Sequence, residues 1–201
     1  MSHQYAPLVP AVLIALGFAV FAPAAQPGVA LKLNLRSRPA NPIVASADPA
    51  QVRATEWTPK STAVIVCDMW DRHWCKSAEA RVGELAGPMD AMLKAARAKG
   101  VFVIHAPSTC TDFYKDTPQR KRAKDAPFAA TPVPLVTTER WGTCWNWPDA
   151  RREAPLPIDD SDMGCDCAVK CEIRDPWKRQ TAALTIADGD AITDHGQETW
   201  N

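Results

Sequence analysis

Thr62-Ala63-Val64-Ile65-Val66-Cys67-Asp68 is an unbroken apolar, mostly β-branched run that ends on a carboxylate. Such a run, without polar alternation, reads as a strand covered on both faces, the habit of parallel sheets. After a loop, Met69 to Lys76, comes a helical stretch. Ser77 is placed to cap it, and Glu79 falls in its first turn. Val82, Leu85, Ala86, Met89, Met92, Leu93 and Ala96 recur at three and four, giving one apolar stripe. Gly87-Pro88 interrupts the stripe, which predicts two helical pieces or one kinked helix. Gly100 is suited to the position just past the helix end. Val101-Phe102-Val103-Ile104 then reads as a second buried strand, closing at His105-Ala106-Pro107. Strand, helix, strand with short joins is the βαβ unit, whose crossover is right-handed. The fold class is therefore α/β with a parallel sheet.

The chain is 201 residues long, with 23 Lys plus Arg against 23 Asp plus Glu and 46% hydrophobic residues. Zero net charge gives no general attraction to nucleic acid, so no nucleic-acid partner is expected. Leu8 to Phe21 is a nearly continuous apolar run followed by Ala22-Pro23-Ala24-Ala25. Residues 1–25 read as a signal peptide, although Met1 to Pro7 contains no Lys or Arg. The run is short of the ~20 apolar residues that a bilayer span needs. The expected location is exported, periplasmic or extracellular, with no stable membrane insertion after cleavage. Residues 26–57 are rich in Pro, Ala and Ser and read as a linker, with a short edge strand conceivable over Lys32–Arg36. The α/β domain is expected over residues 58–201.

Residues 108–180 read as a long insertion rich in Pro, Trp and Cys. A loop of that length within a domain is often functional. Its basic run, Arg120-Lys121-Arg122-Ala123-Lys124, reads as a solvated loop or helix turn. Trp70, Trp74, Trp141, Trp145 and Trp147 fall in loop-like stretches rather than strands. Ala182–Ile186 reads as a third strand, Asp188-Gly189 as a turn, and Ala191–Thr193 as a further short strand. A helix begins near Glu198.

There are 7 cysteines. Cys67 reads as a buried strand thiol. Cys75, Cys110, Cys144, Cys165, Cys167 and Cys171 lie outside strands and, in an exported chain, are expected to pair as disulfides. Cys165, Cys167 and Cys171 lack the C-x-x-C spacing of zinc knuckles, so zinc or redox chemistry there is the lesser alternative. Asp71 and His73 are two potential ligands and do not make a metal site. Asp159, Asp160 and Asp162 read as a solvated acidic turn, with a weak calcium contact as the other reading. No metal and no cofactor are expected.

In an open parallel sheet ligands bind beyond the carboxyl ends of the strands. Asp68 stands at one such end and His105 at the next, with Trp70 and His73 in the loop after the first. Asp68 is the candidate general base. Trp70, His73 and His105 are the candidate substrate-pocket residues. Each has a plainer reading: Asp68 as a turn residue, the histidines as packed or backbone-bonded.

Ala63-Val64-Ile65-Val66-Cys67-Asp68-Met69-Trp70 resembles the opening strand of the isochorismatase-like cysteine hydrolases. Ala95 to His105 is similar to that family's next helix and strand, and Gly189-Asp190-Ala191-Ile192-Thr193 to the segment before its catalytic lysine. The resemblance covers roughly residues 58–110 and 180–201. It implies a six-stranded parallel sheet with helices on both faces, a three-layer α/β/α (Rossmann-like) arrangement that is incomplete here at the C-terminus. It also implies an Asp–Lys–Cys mechanism acting on a small amide, imide or vinyl-ether substrate. Only Asp68 carries over. Thr193-Asp194-His195 stands where the lysine is expected, and Lys178 lacks motif support. The nucleophilic cysteine of the family follows a later strand, in a Gly-rich elbow that none of the present cysteines occupies. The expectation is a hydrolase-like chain that does not turn over substrate. The competing expectation is a non-catalytic exported binding module using the Trp/Cys-rich insertion. An unpaired sheet edge leaves homo-oligomers open.

Overall fold

The computed structural model describes residues 29–37, 51–132, 137–138, 142–143 and 164–201. The signal-peptide reading, Trp141, Trp145, Trp147, Cys144 and the Asp159–Asp162 turn lie outside the described residues. The first element is an antiparallel ribbon. Strand β1 (Leu31–Ser37) pairs with β2 (Gln51–Trp57), Leu31 opposite Trp57 and Ser37 opposite Gln51. The expected linker therefore contains paired strands. Leu31, Leu33 and Leu35 alternate with exposed Lys32 and Asn34. With Trp57, Leu31 and Leu33 line a cleft against Met92, Ala95 and Ala96. The polar run Arg53-Ala54-Thr55-Glu56 hides the second strand from sequence reading.

The βαβ unit is present. Strand β3 (Ala63–Cys67) leads through α1 (Lys76–Ala98) to β4 (Phe102–Ala106), parallel to β3 with Ala63 opposite Phe102 and Cys67 opposite Ala106. Further along, α2 covers Pro118–Asp125, and Thr137–Thr138 (β5) pairs with Gly142–Thr143 (β6). Strand β7 (Ala191–Ile192) completes a three-stranded sheet in the order β3-β4-β7, parallel to β4. The last element is α3 (Gly196–Trp200). The molecule is mixed α/β with a parallel sheet at its centre. Among the described residues no helix is long and apolar enough to cross a membrane.

Burying one face of this sheet under α1 builds the core. Val66, Met69, Ala86, Leu93, Val103 and Leu184 form a buried cluster, with Val64, Val82 and Met89 packed against it. Leu93 is fully buried, and truncating such a leucine typically costs about 2–5 kcal/mol. The opposite face is covered over Ile104 but bare over Ile65 (50% exposed) and Phe102 (40%). The expectation that the first strand is covered on both faces fails there. For the same reason Cys67 is an exposed thiol rather than a buried one, since it shares the Ile65 side of the pleat.

Of the two expected alternatives, two helical pieces or one helix kinked at Pro88, the chain forms a single helix, α1, of 23 residues that runs through Pro88. Proline excludes its predecessor from helical geometry by clashing with that residue's Cβ, and Gly87 has none. The helix is capped at Cys75 rather than Ser77. Gly100, at φ +87, ends it in the left-handed conformation that glycine adopts without strain.

The expected strand over Ala182–Ile186 is not one. Leu184 N–H donates back to the Thr181 carbonyl, Asp90 Oδ1 accepts Thr185 N–H at 2.8 Å, and Asp190 Oδ2 accepts Ala187 N–H at 2.7 Å. Side-chain carboxylates take the donors that a ladder would need, while Leu184 plugs the core. The third strand is instead the short segment at Ala191. Of its two readings, solvated loop or helix turn, the basic run takes the helical one. It forms α2, with Thr117 Oγ1 accepting Arg120 N–H and Pro118 opening the first turn. Arg120 is buried and holds Glu198 through two bonds, 2.6 and 3.0 Å, and the Ile192 carbonyl through a third. Arg122 donates to the carbonyls of Asp188 and Asp190.

Candidate functional site

The carboxyl ends of β3 and β4 carry the site. Asp68 follows β3 with φ +49, and Thr109 follows β4 with φ +63. Left-handed backbone at a non-glycine residue is costly and gathers at functional loops. Asp68 N–H reaches back to the Ala106 carbonyl, and its Oδ1 accepts Ser108 N–H at 3.2 Å. The carboxylate thus ties the two strand-end loops together. Burial pushes its pKa above the usual carboxylate range, opposed in part by the Ser108 bonds. A carboxyl raised in this way is suited to proton transfer.

Trp70 stacks face to face on Trp177, with centroids 4.0 Å apart and planes 5° off parallel. Its Nε1 donates to the Ser108 carbonyl, and Trp177 Nε1 donates to Thr109 Oγ1. The His73 ring lies near both indoles, 5.9 and 5.7 Å away, and its Nδ1 accepts Cys75 N–H. Trp177 arrives from the end of the insertion. That segment is laced to the Asp68 loop: Asp71 Oδ1 accepts Lys178 N–H and Arg179 N–H, and Thr181 N–H donates to the Met69 carbonyl. The sequence singled out Trp70 but not Trp177, because only the fold brings residue 177 back over the strand ends.

His105, expected in the substrate pocket, is instead fully buried beneath the site. Its Nδ1 is 2.9 Å from Gln180 Oε1 and its Nε2 is 3.1 Å from Asp190 Oδ2, so neither ring nitrogen is left for a ligand. Asp190 also accepts two bonds from Arg97, at 2.9 and 2.7 Å. Burial raises the Asp190 pKa, but the Arg97, Ala187 and His105 bonds outweigh it and leave the carboxyl below its ordinary range. Gln180 Nε2 is buried with no hydrogen-bond partner, alone in this among the described residues.

A nucleophile is harder to place. The buried Cys110 donates to the Pro107 carbonyl at 3.0 Å. Burial, with Asp71, Asp68 and Asp194 nearby, pushes its pKa up to about 11, so it is a protonated thiol. Lys178 meets the loop through its backbone while its side chain is exposed. Beyond β7, Thr193 is buried and Asp194 accepts Thr111 Oγ1 at 2.8 Å, so that position offers a carboxylate and no amine. Beside Asp68 the described residues supply a proton-transfer group and an aromatic platform, while the neighbouring Cys110 thiol is not activated.

Among the described residues, the side chains with metal-ligand convergence are the thiols of Cys75, Cys165 and Cys167. Burial raises the Cys75 pKa, but bonds from Ser77, the Ala78 N–H, Cys165 and Cys167 bring it down to about 6. These thiols are free and not at bonding distance: Cys75 Sγ and Cys167 Sγ are 3.9 Å apart, against about 2.05 Å for a disulfide. The expected disulfide pairing of these cysteines is not what the structure holds. Compared with known proteins, the chain matches no family model, no curated protein and no solved structure.

Proposed function

We propose that the chain carries the proton-transfer side of an isochorismatase-like site for a small amide, imide or vinyl-ether substrate, and that it binds such a molecule without turning it over. The observation that carries this reading is Asp68: a part-buried carboxyl with a raised pKa, on strained backbone, at the carboxyl end of the first parallel strand. Asp68 would take and return a proton, and Trp70 with His73 would flank the substrate. Turnover is not expected because the Cys110 thiol near Asp68 is protonated and no lysine is bonded to or ion-paired with Asp68 among the described residues. The chain is read as exported, with no cofactor.

The test is made on the full chain with nicotinamide and simple amides. Binding is expected, weakened at least severalfold by Asp68→Ala, together with no hydrolysis above background. Turnover that Asp68→Ala abolishes would overturn the inactive reading. A second reading, a non-catalytic exported binding module, is favoured by the Trp70–Trp177 stack. It predicts amide-independent ligands, loss of binding in Trp70→Ala and indifference to Asp68→Ala.

A further inference from the structure

Cys75, at the cap of α1, meets Cys165 and Cys167 from the insertion, and the three Sγ atoms lie within 4.8 Å of one another. Cys171 is packed against the same cluster, although its Sγ is not one of the three that converge within 4.8 Å. A zinc ion bound by four sulfurs at about 2.3 Å has tetrahedron edges of about 3.8 Å. The Cys75–Cys167 separation, 3.9 Å, matches that edge. It is too long for a covalent bond.

The surroundings suit a thiolate centre. Ser77 Oγ lies 3.2 Å from Cys75 Sγ, within hydrogen-bond reach. Outer hydrogen bonds of this kind orient metal-bound ligands. Ser77 and Ala78 lie in the first turn of a 23-residue helix, whose N-terminal end favours negative charge. Trp74, Ala78 and Trp177 pack around the sulfurs and limit water.

We propose that Cys75, Cys165, Cys167 and Cys171 form a closed four-thiolate site for one thiophilic divalent cation, zinc in preference to the harder metals. Four protein sulfurs leave no open position, which makes the site structural rather than catalytic. Cys75 belongs to the loop that follows Asp68, and the other three belong to the insertion. The ion therefore clamps the insertion to the strand-end loop and holds Trp177 against Trp70. The site stands independently of any hydrolase reading, and its failure would leave the Asp68 proposal untouched.

The full chain, purified without chelator, is expected to hold one zinc per molecule. With zinc bound, Cys75, Cys165, Cys167 and Cys171 should resist alkylation while the exposed Cys67 reacts, and chelation should open all four. Replacement by Co²⁺ should give thiolate-to-metal charge-transfer absorption. Cys165→Ser should lower zinc affinity by more than about a hundredfold, the upper cost of even indirect changes around a metal. Cys67→Ser should keep the full equivalent. Because Cys165→Ser could fail to fold, the alkylation pattern of the unmodified chain is the deciding measurement. Disulfides among these four cysteines in the chain as isolated, or zinc content unchanged in a folded Cys165→Ser protein, would overturn the site.

Discussion

Asp190 is the residue on which the interior of the site rests. It is buried, accepts from Arg97 and from the Ala187 N–H, and orients His105. Removing one partner of a buried ion pair leaves the other uncompensated. Asp190→Asn is expected to destabilise the protein by about 3 kcal/mol, measured by urea unfolding at neutral pH. The pH dependence follows from the lowered pKa of Asp190. A carboxylate depressed in the folded state contributes stability above its unfolded pKa of about 3.9. That contribution fades as pH falls through the still lower folded value. The native chain should lose stability as pH falls from about 5 to about 2, and Asp190→Asn should show a shallower slope. Equal slopes would remove Asp190 from this role.

Helix α1 is held by its apolar stripe, not by favourable residues throughout. Gly83 and Gly87 both lie within it, and a Cβ built on either meets nothing within 4 Å. Glycine inside a helix costs about 1 kcal/mol relative to alanine. Gly83→Ala should therefore stabilise the chain by about 1 kcal/mol in denaturant unfolding. Gly87→Ala should gain less or lose, because its new Cβ would face the ring of Pro88. Equal gains would mean that Gly87 is not what lets α1 continue past Pro88. The choice of one continuous helix over two pieces is not legible locally, since the proline penalty is plain while the relief comes from one missing Cβ and from tertiary packing.

As a whole the molecule leaves apolar surface uncovered. Strand β3 ends the order β3-β4-β7, so one of its edges is unpaired among the described residues, and Ile65 and Phe102 are exposed beside it. Open edges with apolar side chains promote association. Light scattering should increase with concentration, and Ile65→Lys should reduce it without lowering the unfolding midpoint, because Ile65 is half exposed. Scattering unaffected by the substitution would place the association elsewhere.

The sequence by itself determined the parallel βαβ unit, the position of Asp68 at a strand end and the helix stop at Gly100. These are local matters: a β-branched run, a three-and-four period, and a residue that tolerates positive φ. Only the tertiary structure decided which partners stand beside Asp68. The short strand read at Ala191–Thr193 is present as Ala191–Ile192, but only the fold makes it, and not Ala182–Ile186, the third strand of the sheet. His105 is taken inward by Gln180 and Asp190, which lie 75 and 85 residues away in the chain. Trp70 finds Trp177, and Cys75 finds Cys167 across 92 residues. Such contacts join polar or irregular segments with no periodic signature, and they form because the sheet and α1 fix both ends in space.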